Sequence, residues 1–209
     1  MNAHIFDIDG TLLDSGDVDG QLFIDAVERI IGRFQRRSDW AEYTHVTDRG
    51  ILRELLQDNG IAYSSRLEGE VRDCFVRLLQ QHVDEHGPFP EIPGARAFFN
   101  NMRNSDDVAI AYATGGWAAS AKLKLSSAGF PTSGVVLCSA DDHPARIEIM
   151  KLALEKLNGE FRSITYYGDG PWDQQSSREL DWQFVAVGSR IDGVESFADI
   201  VPPNTTNSK

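Results

Sequence analysis

The sequence predicts an α/β fold in which a parallel sheet, covered by helices on both faces, is interrupted by an inserted helical bundle. Three observations carry this prediction. From residue 88 onward, short and nearly continuous apolar runs alternate with helix-spaced segments, the pattern of strands buried on both faces. Between residues 18 and 86 no strand-like alternation occurs, only apolar positions recurring every three or four residues. Separating the two regimes is Gly87 to Gly94, with three prolines and two glycines in eight residues, which reads as a loop returning the chain to the sheet.

Taken in order, His4-Ile5-Phe6 is an apolar run leading into Asp7-Ile8-Asp9-Gly10-Thr11-Leu12, a buried strand ending at a sharp turn. Ser15 to Gly20 reads as a flexible stretch. Leu22, Phe23, Ala26, Val27, Ile30 and Ile31 then describe one face of a helix. Ile51, Leu52, Leu55 and Leu56 describe a second, stopped near Gly60, and Leu67, Val71, Cys74, Phe75, Leu78 and Leu79 a third, longer one. After the loop come a short helix (95–103), a strand (108–113), a helix (117–128), a strand (135–138), a helix (146–157), a strand (164–167), a helix (172–180) and a strand (184–187). Pro202 to Lys209 reads as a frayed tail, and the Asn204-Thr205-Thr206 glycosylation pattern within it as chance.

Composition narrows the function classes. Twenty basic against 32 acidic residues give a net charge of −12, a poor balance for gripping polyanions, so nucleic acid and anionic membrane surfaces are not expected partners. A small phosphorylated molecule remains compatible, because one metal ion and one or two cationic side chains can dominate a local field. The two cysteines, Cys74 and Cys138, form no metal-binding spacing and read as free thiols of a reducing compartment. With no leader-like start and no long apolar run, a cytoplasmic protein is expected.

Chemistry-bearing residues follow the predicted strand ends, where open α/β sheets bind ligands. Asp7 and Asp9, two residues apart in an extended segment, can share a cation and a substrate; the alternative is an Asp-Gly turn with solvated acids. After the second strand, Thr114-Gly115-Gly116 offers a hydroxyl and free backbone N–H groups to a phosphate, or a helix cap and glycine turn. After the fourth, Asp169 and Asp173 stand four residues apart and can converge on one hard cation, or simply open a helix with Pro171.

Asp7-Ile8-Asp9-Gly10-Thr11-Leu12 resembles the first signature of the haloacid dehalogenase-like (HAD) superfamily. Thr114 resembles its second motif, and Gly168-Asp169-Gly170-Pro171-Trp172-Asp173 its fourth. The third, basic motif departs from the family: His143-Pro144 stands where a Lys-Pro pair is familiar, and Arg146 takes the basic role, with Lys151 as fallback.

The resemblance implies a Rossmann-like core (1–16 and 88–209) and a C1-type helical cap domain (17–87). It further implies a Mg²⁺-dependent phosphatase acting on a small phosphorylated metabolite. Asp7 would be the nucleophile and Asp9 the acid and base. Thr114, Gly115 and Arg146 would bind phosphate, and Asp7, Asp169, Asp173 and the backbone carbonyl of Asp9 would hold the metal. Asp9 argues against dehalogenation, since a departing halide needs no proton. A sugar-phosphate phosphomutase and a catalytically silent binding protein on the same scaffold are the alternatives. Within the cap, the polar stretch 43–49 offers Tyr43, His45 and Arg49 as specificity residues, Arg49 pairing a second anionic group; an ordinary helix start capped by Thr47 or Asp48 explains the same residues.

Overall fold

Strand β1 (Asn2–Phe6) is central because both of its faces are apolar and both are covered. It pairs in parallel with β2 (Val108–Ala113) on one side and β4 (Ser163–Gly168) on the other; β3 (Val136–Cys138) and β5 (Gln183–Ala186) lie outside them, giving the order β3-β2-β1-β4-β5. The computed structural model describes residues 1–200, so the expected tail and its glycosylation pattern lie outside the described residues.

Register sorts the side chains. Phe6 is level with Tyr112 and Tyr167, and Ile5 with Ala111 and Tyr166. Because neighbours along a strand point to opposite faces, these rows build two separate cores. The Phe6 row packs with Phe98 and Phe99 of α4 (Ala95–Arg103), Phe6 stacking on Tyr167 at 4.4 Å and Phe99 on Tyr112 at 5.0 Å. The Ile5 row packs with Ile149, Met150 and Ala153 of α6 (Arg146–Leu157). Helices α5 (Ala118–Ser127) and α7 (Pro171–Glu179) complete the layers.

Between β1 and α4 the chain forms α1 (Gly16–Ile31), a single 3₁₀ turn (Trp40–Glu42), α2 (Asp48–Asp58) and α3 (Ser65–His86). Ser15 to Gly20, expected to be flexible, instead forms the entry and first turn of α1, the Ser15 hydroxyl turning to Asp9 rather than capping the helix. Burial of Phe23, Ala26 and Val27 and the fixing of Asp19 by Lys124 hold this turn against its two glycines. The apolar stripes of α1, α2 and α3 face one another and run continuously into Trp117 and Leu125, so this insertion shares a core with the sheet domain. No helix among the described residues is long and apolar enough to cross a membrane.

Candidate active site

The carboxyl ends of β1, β2 and β4 deliver Asp7, Thr114 and Asp169 to one rim. The ladder holds the first two one residue past their strands: Asp7 N–H donates to the Tyr167 carbonyl at 2.9 Å, and Thr114 N–H to the Cys138 carbonyl at 3.0 Å. Gly10 then turns the chain with φ of +77°; a Cβ there would collide with the Asp169 carboxylate. Asp173, fully buried, reaches the rim from the first turn of α7, where it accepts a 3.0 Å hydrogen bond from Gly170 N–H.

Asp7, Asp169 and Asp173 each bring a carboxylate oxygen within 4.8 Å of the others, and all three are buried. Burial is the main cause that raises them, with their mutual repulsion adding to it: Asp7 and Asp169 to about 7, Asp173 to about 6. Oδ1 of Asp7 and Oδ1 of Asp173 have no hydrogen-bond partner among the described residues despite their burial. Three hard oxygen donors, two of them orphaned, fit a divalent cation of the Mg²⁺ type. The Asp9 carboxylate does not join this cluster. It turns toward Lys124 Nζ, 2.6 and 2.7 Å from its two oxygens, and accepts from Ser15 Oγ at 2.5 Å.

Arg146, in the first turn of α6, supplies the opposing charge. Its Nη1 lies 2.9 Å from Asp173 Oδ1, a charge contact too misaligned for a hydrogen bond, and 3.5 Å from Asp7 Oδ2. Tyr166 Oη accepts from Arg146 at 3.3 Å and donates to the Ala113 carbonyl at 2.8 Å. A Cβ on Gly115 would sit 2.5 Å from Arg146 Nη2, so glycine is what lets the guanidinium reach the Thr114 loop. Lys151 is elsewhere, half-exposed on α6 and paired with Glu148 at 2.8 Å.

These groups open into a cavity of about 100 Å³. Its floor is the rim just described; its roof is Asp19, Phe23, Trp40, Asp48 and Ile51 from the insertion. The roof is stitched down beside the Thr114 loop: Asp48 N–H donates to the Gly115 carbonyl and its Oδ2 accepts from Trp117 N–H, both at 2.8 Å. Thr47 Oγ1 donates to the Pro144 carbonyl at 2.6 Å and accepts from Gly50 N–H, capping α2.

Tyr43, His45 and Arg49 do not line this cavity. Tyr43 is buried in the insertion, its Oη accepting from Arg37 N–H. His45 faces a separate surface groove with Tyr43 and Trp172. Arg49 donates to Glu68 at 2.8 Å and to the Asp141 carbonyl at 3.0 Å, which spends its charge inside the protein. Its neighbour Asp48 takes the cavity position instead, because Thr47 caps α2 and thereby sets which face of the first turn looks inward.

Lys124, Asp19, Asp48 and Arg190 are site residues that sequence reasoning missed. Three of them carried a signal: Lys124 lies on the stripe Trp117-Ala121-Lys124-Leu125, Asp19 one turn before Phe23, and Asp48 three residues before Ile51. A charge on an apolar stripe must be paired or functional. Arg190, over the Trp172 ring at 5.2 Å and 3.6 Å from Asp169, comes from the turn after β5 and carried none.

A family model for the haloacid dehalogenase-like hydrolases matches residues 1–181. The chain belongs to this family. Among solved structures, this HAD-like hydrolase is similar to CbbY from Rhodobacter sphaeroides in complex with phosphate (16% identity, TM-score 0.72, covering 96% of this chain and 90% of that one). It is similar also to β-phosphoglucomutase from Clostridium difficile (16%, 0.70, 90% and 85%) and to a hydrolase from Pseudomonas syringae (17%, 0.70, 90% and 84%). At these identities the likeness shows the fold. No curated protein matches the chain in sequence.

Proposed function

We propose that this HAD-like hydrolase is a Mg²⁺-dependent phosphatase that cleaves a small phosphorylated metabolite through an aspartyl-phosphate on Asp7. The observation that carries the reading is the convergence of Asp7, Asp169, Asp173 and Arg146 beside the Thr114 loop, at the mouth of a roofed cavity. Asp7, Asp169, Asp173 and the Asp9 carbonyl would hold the cation, which when bound supplies the positive charge that lets a carboxylate and a phosphate approach each other. Thr114, the Gly115 N–H and Arg146 hold the phosphate oxygens.

The Asp7 carboxylate attacks phosphorus, and the ester oxygen leaves with a proton from Asp9. Water then attacks the phosphoryl group, returns a proton to Asp9 and regenerates Asp7 with release of phosphate. The helical insertion acts as a cap, excluding bulk water until the leaving group has gone. The two buried free cysteines agree with a cytoplasmic setting.

The cap side of the cavity favours hydrolysis over mutase chemistry. A phosphomutase holds a bisphosphate, and its second phosphate needs cations under the roof. Here the roof presents Asp19 and Asp48, none of its lining residues is Lys or Arg, and Arg190, which borders the cavity from the sheet domain, lies against Asp169 at 3.6 Å. A leaving group rich in hydroxyl or amine donors fits two carboxylates flanked by Phe23 and Trp40; a second anion does not.

The test is phosphate release from an aryl phosphate and a panel of metabolite monoesters, with Mg²⁺ and with chelator. Metal-dependent release is expected, and Asp7→Asn lowers it by roughly 10³-fold or more with the fold intact. Full activity in that variant would remove Asp7 as nucleophile.

A further inference from the structure

Among the described residues Lys124 is the one lysine buried without any exposure, and the phosphatase mechanism above gives it no task. Taking an ammonium out of water costs several kcal/mol, so its partners must hold it tightly. Those partners come from two separate segments: Asp9 in the turn after β1, through both carboxylate oxygens at 2.6 and 2.7 Å, and Asp19 in the first turn of α1, at 2.5 Å. Ser15, at the junction of the two, donates to the same Asp9 carboxylate. Lys124 itself does not line the cavity, whereas Asp9 and Asp19 do. It therefore reaches substrate only through them.

We propose that Lys124 is a positioning residue: it holds the Asp9 side chain where its carboxyl group, once protonated, delivers that proton to the ester oxygen, and through Asp19 it makes that aim depend on the seating of α1 against the sheet domain. The inference rests on the phosphatase reading. Asp9 stands immediately before the Gly10 turn, and among the described residues its carboxylate has no other side-chain hydrogen bond or ion pair than those to Ser15 and Lys124. Without the ammonium, its carboxylate is free to rotate away. Asp19 fixes the ammonium from the far side, so a displaced α1 withdraws one of the two anions that centre it.

Proton donation matters most for a poor leaving group, because p-nitrophenolate departs without a proton and an alkoxide does not. The experiment measures kcat and KM for an alkyl phosphate monoester and for p-nitrophenyl phosphate, with Mg²⁺, in wild type, Lys124→Met, Asp9→Asn, the double variant and Asp19→Asn. Lys124→Met is expected to lower kcat on the alkyl ester by about 100-fold and on the aryl ester by less than about 10-fold, with KM nearly unchanged. In the Asp9→Asn background the same substitution should cost less than about threefold, since it acts through a group already removed.

Equal losses on both esters, or a loss that persists beside Asp9→Asn, would assign Lys124 to structure alone and overturn the proposal. Should Lys124→Met not fold, Asp19→Asn decides. A fall in its alkyl-to-aryl ratio supports the proposal, and an unchanged ratio overturns it. Wild type that releases phosphate from neither ester refutes the phosphatase reading itself, and the positioning role with it.

Discussion

The two ends of the cavity are built on opposite electrostatic plans. At the floor, three carboxylates crowd together and Arg146 faces them, leaving two buried oxygens without a hydrogen-bond partner among the described residues. At the roof, two carboxylates are held by fixed donors: Asp19 by the Lys124 ammonium and Asp48 by the Trp117 backbone N–H. In the proposed function, the floor is the end that would take the cation and the phosphate. The roof is a nearly finished polar wall that a ligand has to match. Chemistry thus belongs to the floor and selection to the roof, and each can be disturbed separately.

The largest effect follows from the floor's stored charge. Asp7 and Asp169 are raised to about 7 in the folded chain against ~3.9 for an unfolded aspartate, so the folded state holds their protons more tightly. Their stability contribution is fully present below about pH 4 and is lost as pH rises through about 7. In chelator, the melting temperature should therefore fall between pH 5 and 8, by roughly 10 °C for one such unshared group. Millimolar Mg²⁺ should restore most of the loss above pH 7, by binding the ionised form. Burial raises Asp19 at the roof to about 7 as well, so the part of the fall that Mg²⁺ reverses is the part that belongs to the floor; a fall that Mg²⁺ leaves unchanged, or a melting temperature that stays flat without metal, would break the contrast between the two ends.

That division also explains what the sequence disclosed. Floor residues stand directly after apolar strands, where a buried run stops at Asp7, Thr114 or Asp169, so strand pattern and motif point to the same positions. Their meeting needs only a parallel sheet of the right order. Roof residues depend on helix rotation and on caps, which local spacing does not set. Arg49 and Asp48 are adjacent in sequence, yet one faces the cavity and the other pairs with Glu68, because Thr47 begins α2 where it does. Lys124 was visible only as a charge on an apolar stripe, and its partners, 115 and 105 residues away, could be known only from the fold.

A middle-sized effect is expected at the roof. Asp48→Asn keeps the size of the side chain and an oxygen for Trp117 N–H while removing the negative charge that Asp48 carries when ionised. Burial raises the Asp48 carboxyl well above the ordinary range, so discrimination against monoesters carrying a second anionic group should relax by about 10-fold in kcat/KM at alkaline pH, where the group ionises, and by less at pH 6. The aryl phosphate, with no second charge, should change by less than that. Equal changes across neutral, cationic and anionic monoesters would show that Asp48 acts on the roof's seating rather than on selection.

The smallest effect on turnover belongs to Arg49, the residue whose position in sequence most suggests a substrate contact. Its guanidinium lies between Glu68 and the Asp141 carbonyl, and Glu68 also accepts from Tyr63 Oη and, at 3.3 Å, from Trp117 Nε1. Arg49→Ala leaves a buried carboxylate short of a donor, at a cost of about 1–3 kcal/mol. In a chain of this size that lowers the melting temperature by several degrees. Because no Arg49 atom borders the cavity, kcat/KM should move by less than about threefold and by the same factor for every monoester in the panel. A selective loss on doubly anionic substrates would place the guanidinium in the bound site after all, and would mean that the roof turns a different face inward when substrate is present.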